Sequence, residues 1–357
     1  MGLLQYAIVA LVAALTTLAL TPVVRVIGIR WGIVSHPGGR HVHKGVIPRI
    51  GGVAMFIGFG VAVLVEYIGE HFWGWQPALT RLGRPAVGVI LGIVIVFVIG
   101  MLDDILDLKP GQKFLGQLVA AGVVIAFGVK IAFISNPFSG GLILLGVLAY
   151  PITLFWIVGF ANVINLIDGL DGLAAGVTAI ASISFLLLAV QSNVFAAGAL
   201  AAALIGACLG FLRFNFHPAS VFMGDSGALF LGFTLACISL LGVMKSVAAI
   251  TLVIPLLIIG VPIFDTFSAI IRRSRHGQPI QVADKGHIHH RLLGRGFNQR
   301  QTVLIIYVWS IALAFGGYST RWAPPLIRLI TLVALAVLSG LMAHWLGLFE
   351  AAHHEDE

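Results

Sequence analysis

The stretch NVINLIDGLDGL, residues 162–173, places two asparagines and two aspartates directly between two long apolar segments. These segments, residues 143–161 and 173–191, are each long enough to cross a bilayer as a helix. Carboxylates beside hydrocarbon are costly, so acidic residues in such a place indicate a function rather than a structural filler. The stretch therefore predicts a membrane protein with a polar site where its helices end.

The composition of the whole chain supports a membrane location. Hydrophobic residues make up 59% of the 357 residues, charged residues make up 10%, and the mean hydropathy is +1.05. A soluble protein of this length needs much more polar surface. Both cysteines, Cys208 and Cys237, fall in apolar segments, so we expect neither a disulfide framework nor a cysteine-based metal site.

Apolar segments of membrane-spanning length recur along the chain, and we predict an all-α integral membrane protein with about eleven transmembrane helices. The predicted spans are residues 4–29, 50–68, 86–102, 114–131, 143–161, 173–191, 194–212, 226–243, 247–270, 301–319 and 325–347. No internal repeat is visible, which counts modestly against a transporter built from inverted repeats. Residues 1–349 are predicted to form a single polytopic domain, followed by a flexible tail at 350–357.

The distribution of basic residues predicts the orientation. Eleven spans put the termini on opposite sides of the bilayer, and one side carries 15 of the 21 Lys and Arg residues. Because cytoplasmic loops carry the excess of positive charge in membrane proteins, we predict an N-terminus outside and a C-terminus in the cytoplasm. The loops assigned to the cytoplasm are 30–49, 103–113, 162–172, 213–225 and 271–300.

Five acidic motifs lie in or beside these loops, whereas Glu66 and Glu70 lie toward the other side. The motifs are MLDDILD around Asp103, NVINLIDGLDGL around Asp168, FMGDSG around Asp225, IFDTF around Asp265 and DKGHIHHRL around Asp284. Acids collected at one face indicate an enzyme-like site that opens to one compartment. A transporter would instead distribute its acids through the bilayer as an ion or proton relay.

In the first motif, Asp103 and Asp107 share one face of a helix, and Asp104 is turned about 100° away from them. Two adjacent acids can therefore serve different ligands, one a metal and the other a reactant. A solvated helix end is the alternative interpretation. Lys113, ten residues beyond Asp103, could equally be an interfacial lysine whose charge reaches water.

In the second motif, Asn162, Asn165, Asp168 and Asp171 recur at every third position. Helix capping accounts for one or two of these residues but not for four in register. The glycines of GLDGL allow a ligand to approach the backbone closely. We therefore expect this stripe to contact a ligand.

The next two motifs each have a structural alternative. Asp225 could be a helix cap as well as a ligand-binding residue, because it lies at the start of a predicted span. Phe222 could be a buried aromatic or a platform that stacks on a base. Asp265 is interpreted equally well as a structural or a functional residue.

The 271–300 loop combines basic residues with three histidines. Attraction to anionic lipid explains its arginines but gives no reason for HIHHR, residues 287–291. Zinc is a common partner of histidine, but nearby cysteines are absent and the acids are too numerous. Carboxylates suit Mg²⁺, which binds through a few of them and through substrate phosphates, while Arg and His suit a diphosphate. The motifs together indicate phosphate chemistry.

In chain order, DDILDL…K, NVINLIDGLDGLAAG, VFMGDSGALFLG and DKGHIHHRL resemble the motifs of the polyprenyl-phosphate N-acetylhexosamine-1-phosphate transferases. The resemblance extends from HVHKGVIPRIGG at 41–52 to residue 300, and HIHHR makes the chain most similar to the bacterial WecA/TagO branch. The related MraY transferases carry a different histidine motif in this loop. The resemblance implies a membrane transferase in which a polyprenyl phosphate attacks the β-phosphorus of a UDP-N-acetylhexosamine and UMP leaves.

The resemblance also implies a role for each matching residue. The metal ligands for Mg²⁺, with Mn²⁺ as a substitute, would be Asn165 and Asp225, and the catalytic residues would be Asp103, Asp104 and Asp168. The lipid phosphate would be held by Lys113, and the uridine pocket would be lined by Gly169, Leu170, Asp171 and Phe222. The diphosphate and the sugar would face His287, His289, His290 and Arg291.

For Asp103 the resemblance implies a base, but elementary chemistry weakens that role. A phosphate monoester has a second pKa of about 6, so the lipid phosphate is mostly ionised at neutral pH. Asp103 therefore either orients the nucleophile or removes a residual proton, and a covalent aspartyl intermediate is less favoured. The main barrier is the approach of two anions, which Mg²⁺, Lys and Arg reduce by neutralisation and alignment.

The remaining expectations concern substrate and setting. GlcNAc 1-phosphate is favoured because it is the usual transferred group of the resembled branch, and its product would begin a cell-envelope glycopolymer such as lipopolysaccharide or teichoic acid. The alternatives are an MraY-type phospho-MurNAc-pentapeptide transferase and, in another class, an ion-coupled transporter. The compact DG and AR motif of CDP-alcohol phosphotransferases is not found in the chain. We expect a plasma-membrane location and no nucleic-acid partner. The sequence is compatible with both a monomer and a homodimer.

Overall fold

The computed structural model describes residues 2–35, 47–135, 142–243, 253–275, 286–320 and 323–348. Its helices are α1 Gly2–Trp31, α2 Gly52–Phe72, α3 Leu79–Leu82, α4 Arg84–Leu106, α5 Pro110–Ala126, α6 Ala149–Ile167, α7 Leu173–Gln191, α8 Phe195–Asn215, α9 Gly224–Val243, α10 Val253–Ile258, α11 Gly260–Arg275, α12 Ile288–Gly294, α13 Gln299–Thr320 and α14 Pro325–Leu346. Two short antiparallel pairs join β1 Val34–Ser35 to β2 Ile47–Pro48, and β3 Phe133–Ser135 to β4 Leu142–Leu144. The prediction of a helical membrane fold is confirmed, with these two pairs added to it.

Some predicted features lie outside the described residues. They are residues 41–46 of the stretch HVHKGVIPRIGG, Asp284 and Lys285, and the tail at 350–357.

Nine helices in the described part of the chain are long and apolar enough to cross a bilayer, and they coincide with nine of the predicted spans. The predicted span 114–131 corresponds to α5, whose 17 residues reach about 26 Å, short of a hydrocarbon core of about 30 Å. The predicted span 247–270 begins outside the described residues and continues as α10 and α11. These two helices separate at Ile259, because Pro262 has no N–H to donate to the carbonyl of Ile258.

All five predicted cytoplasmic loops begin before the preceding helix ends, and the difference is large at two of them. The helix α6 continues through Asn162 and Asn165 to Ile167, and α4 continues through Asp103 and Asp104 to Leu106. The predicted span 143–161 also begins too early, because residues 142–144 form β4. A side chain on the last turn of a helix reaches the polar boundary while its N–H still bonds within the helix. The fall in hydropathy therefore marks the bilayer boundary and not the end of the helix.

The central helices are α8 and α9, which are buried along most of their length, whereas α14 exposes most of its apolar surface. Small residues allow this close packing. At Gly206 and Gly210 of α8 a Cβ would collide with the backbone carbonyls of Ala10 and Ala14 of α1. Close backbone approach through small residues is the usual way in which helices associate in lipid.

The polar ends of the helices meet at one end of the bundle. The end of α4 bonds to the start of α9, and the end of α6 bonds to α5. The residue that precedes α7 bonds to the end of α8. The described acidic motifs therefore come together at this end, while Glu66 lies near the start of α1 and accepts a hydrogen bond from Gln5 at 2.5 Å.

Candidate active site

The first turn of α9 carries Asp225 and is enclosed by α2 and α4. Gly52 of α2 packs against Gly227, and Gly100 of α4 packs against Ser226, and neither position has room for a Cβ. Two glycines on neighbouring helices thus bring three backbones close together. This packing fixes where Asp225 begins its helix.

Asp104 caps α9 from a different helix. Its Oδ1 accepts the backbone N–H of Asp225 at 2.8 Å, and its Oδ2 accepts that of Ser226 at 3.0 Å. At Gly224, where φ is 70°, a Cβ would lie 2.6 Å from both Asp104 oxygens. Both oxygens of Asp104 therefore satisfy N–H groups that have no partner inside α9. Its predicted catalytic role remains a prediction, while its contacts make it a residue that positions Asp225.

Lys113, on the first turn of α5, connects two of the predicted carboxylates. Its Nζ donates to Asp103 Oδ2 at 2.8 Å and to Asp225 Oδ1 at 2.7 Å. The other oxygen of Asp103 accepts the N–H of Leu108 at 2.9 Å, which fixes that carboxylate at the α4–α5 turn. One ammonium thus pairs with two carboxylates, from α4 and α9, and holds them side by side.

Arg49 is a site residue that sequence reasoning missed. Its Nη2 donates to the backbone carbonyl of Asp104 at 3.0 Å and to Asp107 Oδ1 at 2.8 Å. The backbone on both sides of Arg49 is tied to the start of α9, because the Phe222 N–H donates to the Pro48 carbonyl at 2.8 Å. In the sequence, Arg49 is one of many charged residues in the predicted loops. The only feature that could have indicated its role is its place within HVHKGVIPRIGG, residues 41–52.

Asp168 follows directly after α6, and its carboxylate has no hydrogen-bond donor among the described residues. Burial and then the negative charges of Asp225, Asp104 and Asp171 raise the pKa of Asp168 to about 8. Asn165, one turn earlier on α6, lies beside the Asp225 carboxylate. A buried carboxylate close to other negative charges attracts a cation.

The oxygen donors at this place fit a hard divalent cation. Asp168 has an unpartnered carboxylate, Asn165 offers an amide oxygen, and Asp225 has one oxygen that Lys113 does not use. Within the described residues, no three His, Cys, Asp or Glu side chains form a metal site by themselves. Mg²⁺ commonly binds through one or two carboxylates and completes its shell with water and substrate phosphate. The donor set therefore suits Mg²⁺ bound together with a substrate.

Asp171 is fixed by the loop between α8 and α9. Its Oδ2 accepts hydrogen bonds from His217 Nδ1 at 2.8 Å and from the N–H of Ala219 at 3.0 Å. The next residue, Gly172, donates its N–H to Asn215 Oδ1 at 3.0 Å, and its carbonyl accepts the Tyr307 hydroxyl. His217 and Asn215 were also missed, because a polar residue near a helix end gives no sign of a partner more than 40 positions away.

The histidine segment is held against the second motif by α11. Asp265 Oδ2 accepts His287 Nδ1 at 3.0 Å, and Asp265 Oδ1 accepts the N–H of Ile288 at 2.8 Å. The rings of His287 and His289 stack in parallel at 5.8 Å, and a Cβ on Gly169 would lie 2.7 Å from His289 Nε2. Burial, followed by the charge of a neighbouring histidine, lowers the pKa of His289 to about 3, so this ring is neutral at pH 7.

The predicted residues fall into one connected arrangement. Asp103, Asp104, Lys113, Asn165 and Asp225 surround the start of α9, and Asp168 is within range of their charges. Gly169 joins this group to His289, with the buried Leu170 and Asp171 next in the chain. His290 lies beyond His289, with ring centroids 4.3 Å apart, and Arg291 follows on α12. The Phe222 backbone bonds to the α2 side of the site, and its side chain is half-buried.

The fold and the site define a polytopic membrane protein with an enzyme-like acidic centre at one end of its helical bundle. The chain belongs to the family of polyprenyl-phosphate N-acetylglucosamine-1-phosphate transferases, as its similarity to members of that family shows. A family model described as "Glycosyl transferase family 4" matches residues 86–243, which run from α4 to α9.

Three relatives show how similar the chain is to known proteins. A Bacillus subtilis (strain 168) protein named "Probable undecaprenyl-phosphate N-acetylglucosaminyl 1-phosphate transferase" is 42% identical over 92% of this chain and 90% of its own length. The "Decaprenyl-phosphate N-acetylglucosaminephosphotransferase" of Mycolicibacterium smegmatis is 38% identical over 90% of this chain and 83% of its own length. A "Phospho-N-acetylmuramoyl-pentapeptide-transferase" of Desulforudis audaxviator is 33% identical over 86% of this chain and 95% of its own length.

Proposed function

We propose that this protein transfers N-acetylglucosamine 1-phosphate from UDP-N-acetylglucosamine to a polyprenyl phosphate. An oxygen of the lipid phosphate bonds to the β-phosphorus of the nucleotide sugar, the bond from that phosphorus to the bridging oxygen breaks, and UMP leaves. The similarity to the Bacillus and Mycolicibacterium proteins supports the transferred group and the lipid acceptor. The balance of the reaction requires a nucleoside diphosphate sugar as donor and a nucleoside monophosphate as leaving group, and uridine is the nucleoside that the family resemblance implies.

The observation that carries this proposal is that two groups of side chains are joined through Asp168. Lys113 holds Asp103 and Asp225 together, and the charge of Asp225 acts on Asp168. Gly169, the next residue, packs against His289. The transfer brings two anions together, so it requires cationic and neutral hydrogen-bonding groups close to each other. Lys113 supplies a positive charge at the start of α5, where an acceptor phosphate would arrive from the lipid. A neutral His289 can donate or accept a hydrogen bond at the sugar diphosphate.

Mg²⁺ is the cofactor that we propose for this site, and Mn²⁺ could replace it. When bound, the cation supplies Lewis-acid neutralisation of the diphosphate oxygens. Asn165 and Asp225 would hold it, with Asp168 beside them. Asp104 keeps Asp225 in place by capping α9, which makes Asp104 important without requiring direct metal contact.

Asp103 is proposed to orient the lipid phosphate through Lys113. Its two oxygens are engaged by the Leu108 N–H and by Lys113 Nζ, so the carboxylate is fixed and its charge is neutralised. An acceptor phosphate that displaces Asp103 from Lys113 would free that carboxylate to take a residual proton. A phosphate already ionised at neutral pH needs no stronger base.

The orientation is proposed from the loop charges. Eleven spans, with α5 and the α10–α11 pair included, would leave the N-terminus outside and the acidic site in the cytoplasm of a plasma membrane. A cytoplasmic site gives access to a water-soluble nucleotide sugar, while the apolar helices keep the polyprenyl tail in hydrocarbon. The product is proposed to begin a cell-envelope glycopolymer.

The test is a product assay with purified protein, undecaprenyl phosphate, Mg²⁺ and a panel of UDP-sugars. We expect a lipid-linked diphosphate sugar from UDP-GlcNAc, formed in equal amount with UMP and only when the lipid is present. The panel includes UDP-MurNAc-pentapeptide, because the chain is also 33% identical to a transferase named for that group. If the protein prefers UDP-MurNAc-pentapeptide, that compound replaces UDP-GlcNAc as the proposed donor. The absence of any lipid-linked product would overturn the proposal.

A further inference from the structure

Asp265 lies on α11, outside the group that surrounds α9, and is almost fully buried at 2% exposure. Its two carboxylate oxygens accept from two donors of one segment, His287 Nδ1 and the N–H of Ile288. These donors are 22 and 23 residues away along the chain. One buried carboxylate therefore determines both where α12 begins and how the first histidine of the motif is turned.

The bond from His287 determines which of its nitrogens can meet a ligand. A carboxylate accepts only from an Nδ1 that carries a proton, so Nε2 of the neutral ring is the acceptor. His287 is 7% exposed, and its Nε2 has no hydrogen-bond partner among the described residues. A buried ring with one nitrogen fixed and the other unpartnered is arranged for a ligand.

The same contacts reach the second motif. His289 stacks on His287 with an interplanar angle of 5°, and its Nε2 packs against Gly169, the residue next to Asp168. His289 is 4% exposed and also has no hydrogen-bond partner among the described residues. Moving His287 would therefore move the ring that lies over Gly169.

We propose that Asp265 is a positioning residue for the donor substrate: it fixes the Nδ1–H tautomer of His287, so that Nε2 can accept a hydrogen bond from a hydroxyl or N–H group of the sugar, and it places His289 beside that ring. This inference rests on the proposed function, because it assigns the two rings to the nucleotide-sugar side of that reaction. The lipid phosphate is assigned to Lys113, which bonds to Asp103 and Asp225.

The experiment measures steady-state kinetics for Asp265→Asn, His287→Asn and the double variant, with both substrates varied. Asparagine at 265 has one oxygen for two donors, and its NH₂ group faces an N–H. At 287 the asparagine NH₂ replaces Nδ1–H and keeps the bond to Asp265 while it removes Nε2. Ser268→Ala is the matched control, because Ser268 is buried on α11 and bonds only the Asp265 backbone carbonyl.

We expect Asp265→Asn to lower kcat/KM for UDP-GlcNAc by about 10- to 100-fold, the usual effect of removing the partner of a functional histidine. The KM for undecaprenyl phosphate should stay within about two-fold, and Ser268→Ala should behave as wild type. The double variant should lose less than the sum of the two single losses, because part of the effect of Asp265→Asn acts through His287. Wild-type kinetics in Asp265→Asn, an equal rise in the KM values of both substrates, or fully additive effects would overturn the proposal.

A measurement on the unmodified protein covers the case in which Asp265→Asn does not fold. In ¹⁵N-histidine-labelled wild-type protein, we expect the His287 resonances, assigned by their loss in His287→Asn, to show a protonated Nδ1 and an unprotonated Nε2. The opposite tautomer would overturn the inference. Wild-type protein without transferase activity would instead overturn the proposed function and leave the Asp265–His287 bond intact.

Discussion

At the scale of single residues, three acids within five positions of one motif have three different environments. Asp103 is neutralised by Lys113, Asp104 caps a neighbouring helix, and Asp107 is 80% exposed and pairs with Arg49. Composition does not separate them, since all three follow the same apolar span. Their partners decide what each carboxylate does.

We expect Asp104→Ala to destabilise the protein by about 1–3 kcal/mol, because two buried N–H groups at the start of α9 lose their acceptor. Activity should fall as well, because Asp225 is on the first turn of α9. The measurement is thermal unfolding in detergent together with a turnover assay.

Asp107→Ala is the matched control on the same motif. An exposed ion pair contributes about 0–1 kcal/mol, so this change should have a small effect on stability. Equal destabilisation by the two substitutions would contradict the capping role of Asp104.

The buried His289 predicts a pH dependence of stability. The unfolded chain takes up a proton near the ordinary histidine pKa of about 6.5, whereas the folded protein does so near 3. The folded state of the substrate-free protein should therefore be stabilised fully above pH 6.5 and lose up to about 1.4 kcal/mol per pH unit below it. His289→Gln should flatten the pH dependence of thermal unfolding between pH 6.5 and 5, and an unchanged slope would contradict the neutral, buried ring.

Residue types and spacing predicted which side chains belong to the site but not how they pair. The stripe from Asn162 to Asp171 was expected to contact a ligand, yet Asn162 instead bonds Gln117 of α5 at 2.5 Å. Asp171 and His217 are 46 positions apart, and Asp104 and Asp225 are 121 apart. Such pairs depend on how the helices pack, and no local pattern carries that information.

At the scale of secondary-structure elements, the start of α9 depends on glycines from three helices. Gly52 and Gly100 let α2 and α4 approach, and Gly224 supplies a left-handed backbone directly before Asp225. The hydrophobic pattern predicted the helix itself to within two residues at its start. It did not predict that a carboxylate from α4 caps the start of this helix.

We expect Gly224→Ala to abolish most activity and lower the unfolding temperature. A Cβ there meets both Asp104 oxygens, and the left-handed conformation costs alanine about 1–2 kcal/mol. Activity and thermal unfolding are measured on the same preparation.

Gly340→Ala, in the lipid-exposed α14 with no atom within 4 Å of the new Cβ, is the control and should be neutral or slightly stabilising. Wild-type turnover in Gly224→Ala would show that the capped geometry is not required.

At the scale of the whole molecule, the charge pattern and the helix ends agree on one polar face. The described acidic motifs meet at the end where α4, α6 and α8 finish, and Trp73 and Trp75 lie at the other end, beyond α2. Aromatic residues of this kind are enriched at membrane interfaces. The bundle and its polar face were therefore accessible from sequence, because both follow from hydropathy and charge.

Single cysteines test the orientation of this face. Asp107→Cys at the polar face should react with a membrane-impermeant maleimide only in inverted vesicles. Arg81→Cys at the other end should react only in right-side-out vesicles. The natural Cys208 and Cys237 are buried and should give little background. Labelling of both positions from the same side, or with the two sides exchanged, would contradict the orientation.

The central claim is that side chains from distant helices form one site that couples a nucleotide sugar to a membrane lipid. Its most direct test measures UMP and lipid-linked product together, in wild type and in Asp225→Asn, with Mg²⁺ and with a chelator. We predict equal amounts of both products in wild type with Mg²⁺. Both should fall by about 100-fold or more in the variant or without the metal, with the variant still folded in the membrane. Near-normal turnover in Asp225→Asn, or UMP release that does not need the lipid, would contradict the account.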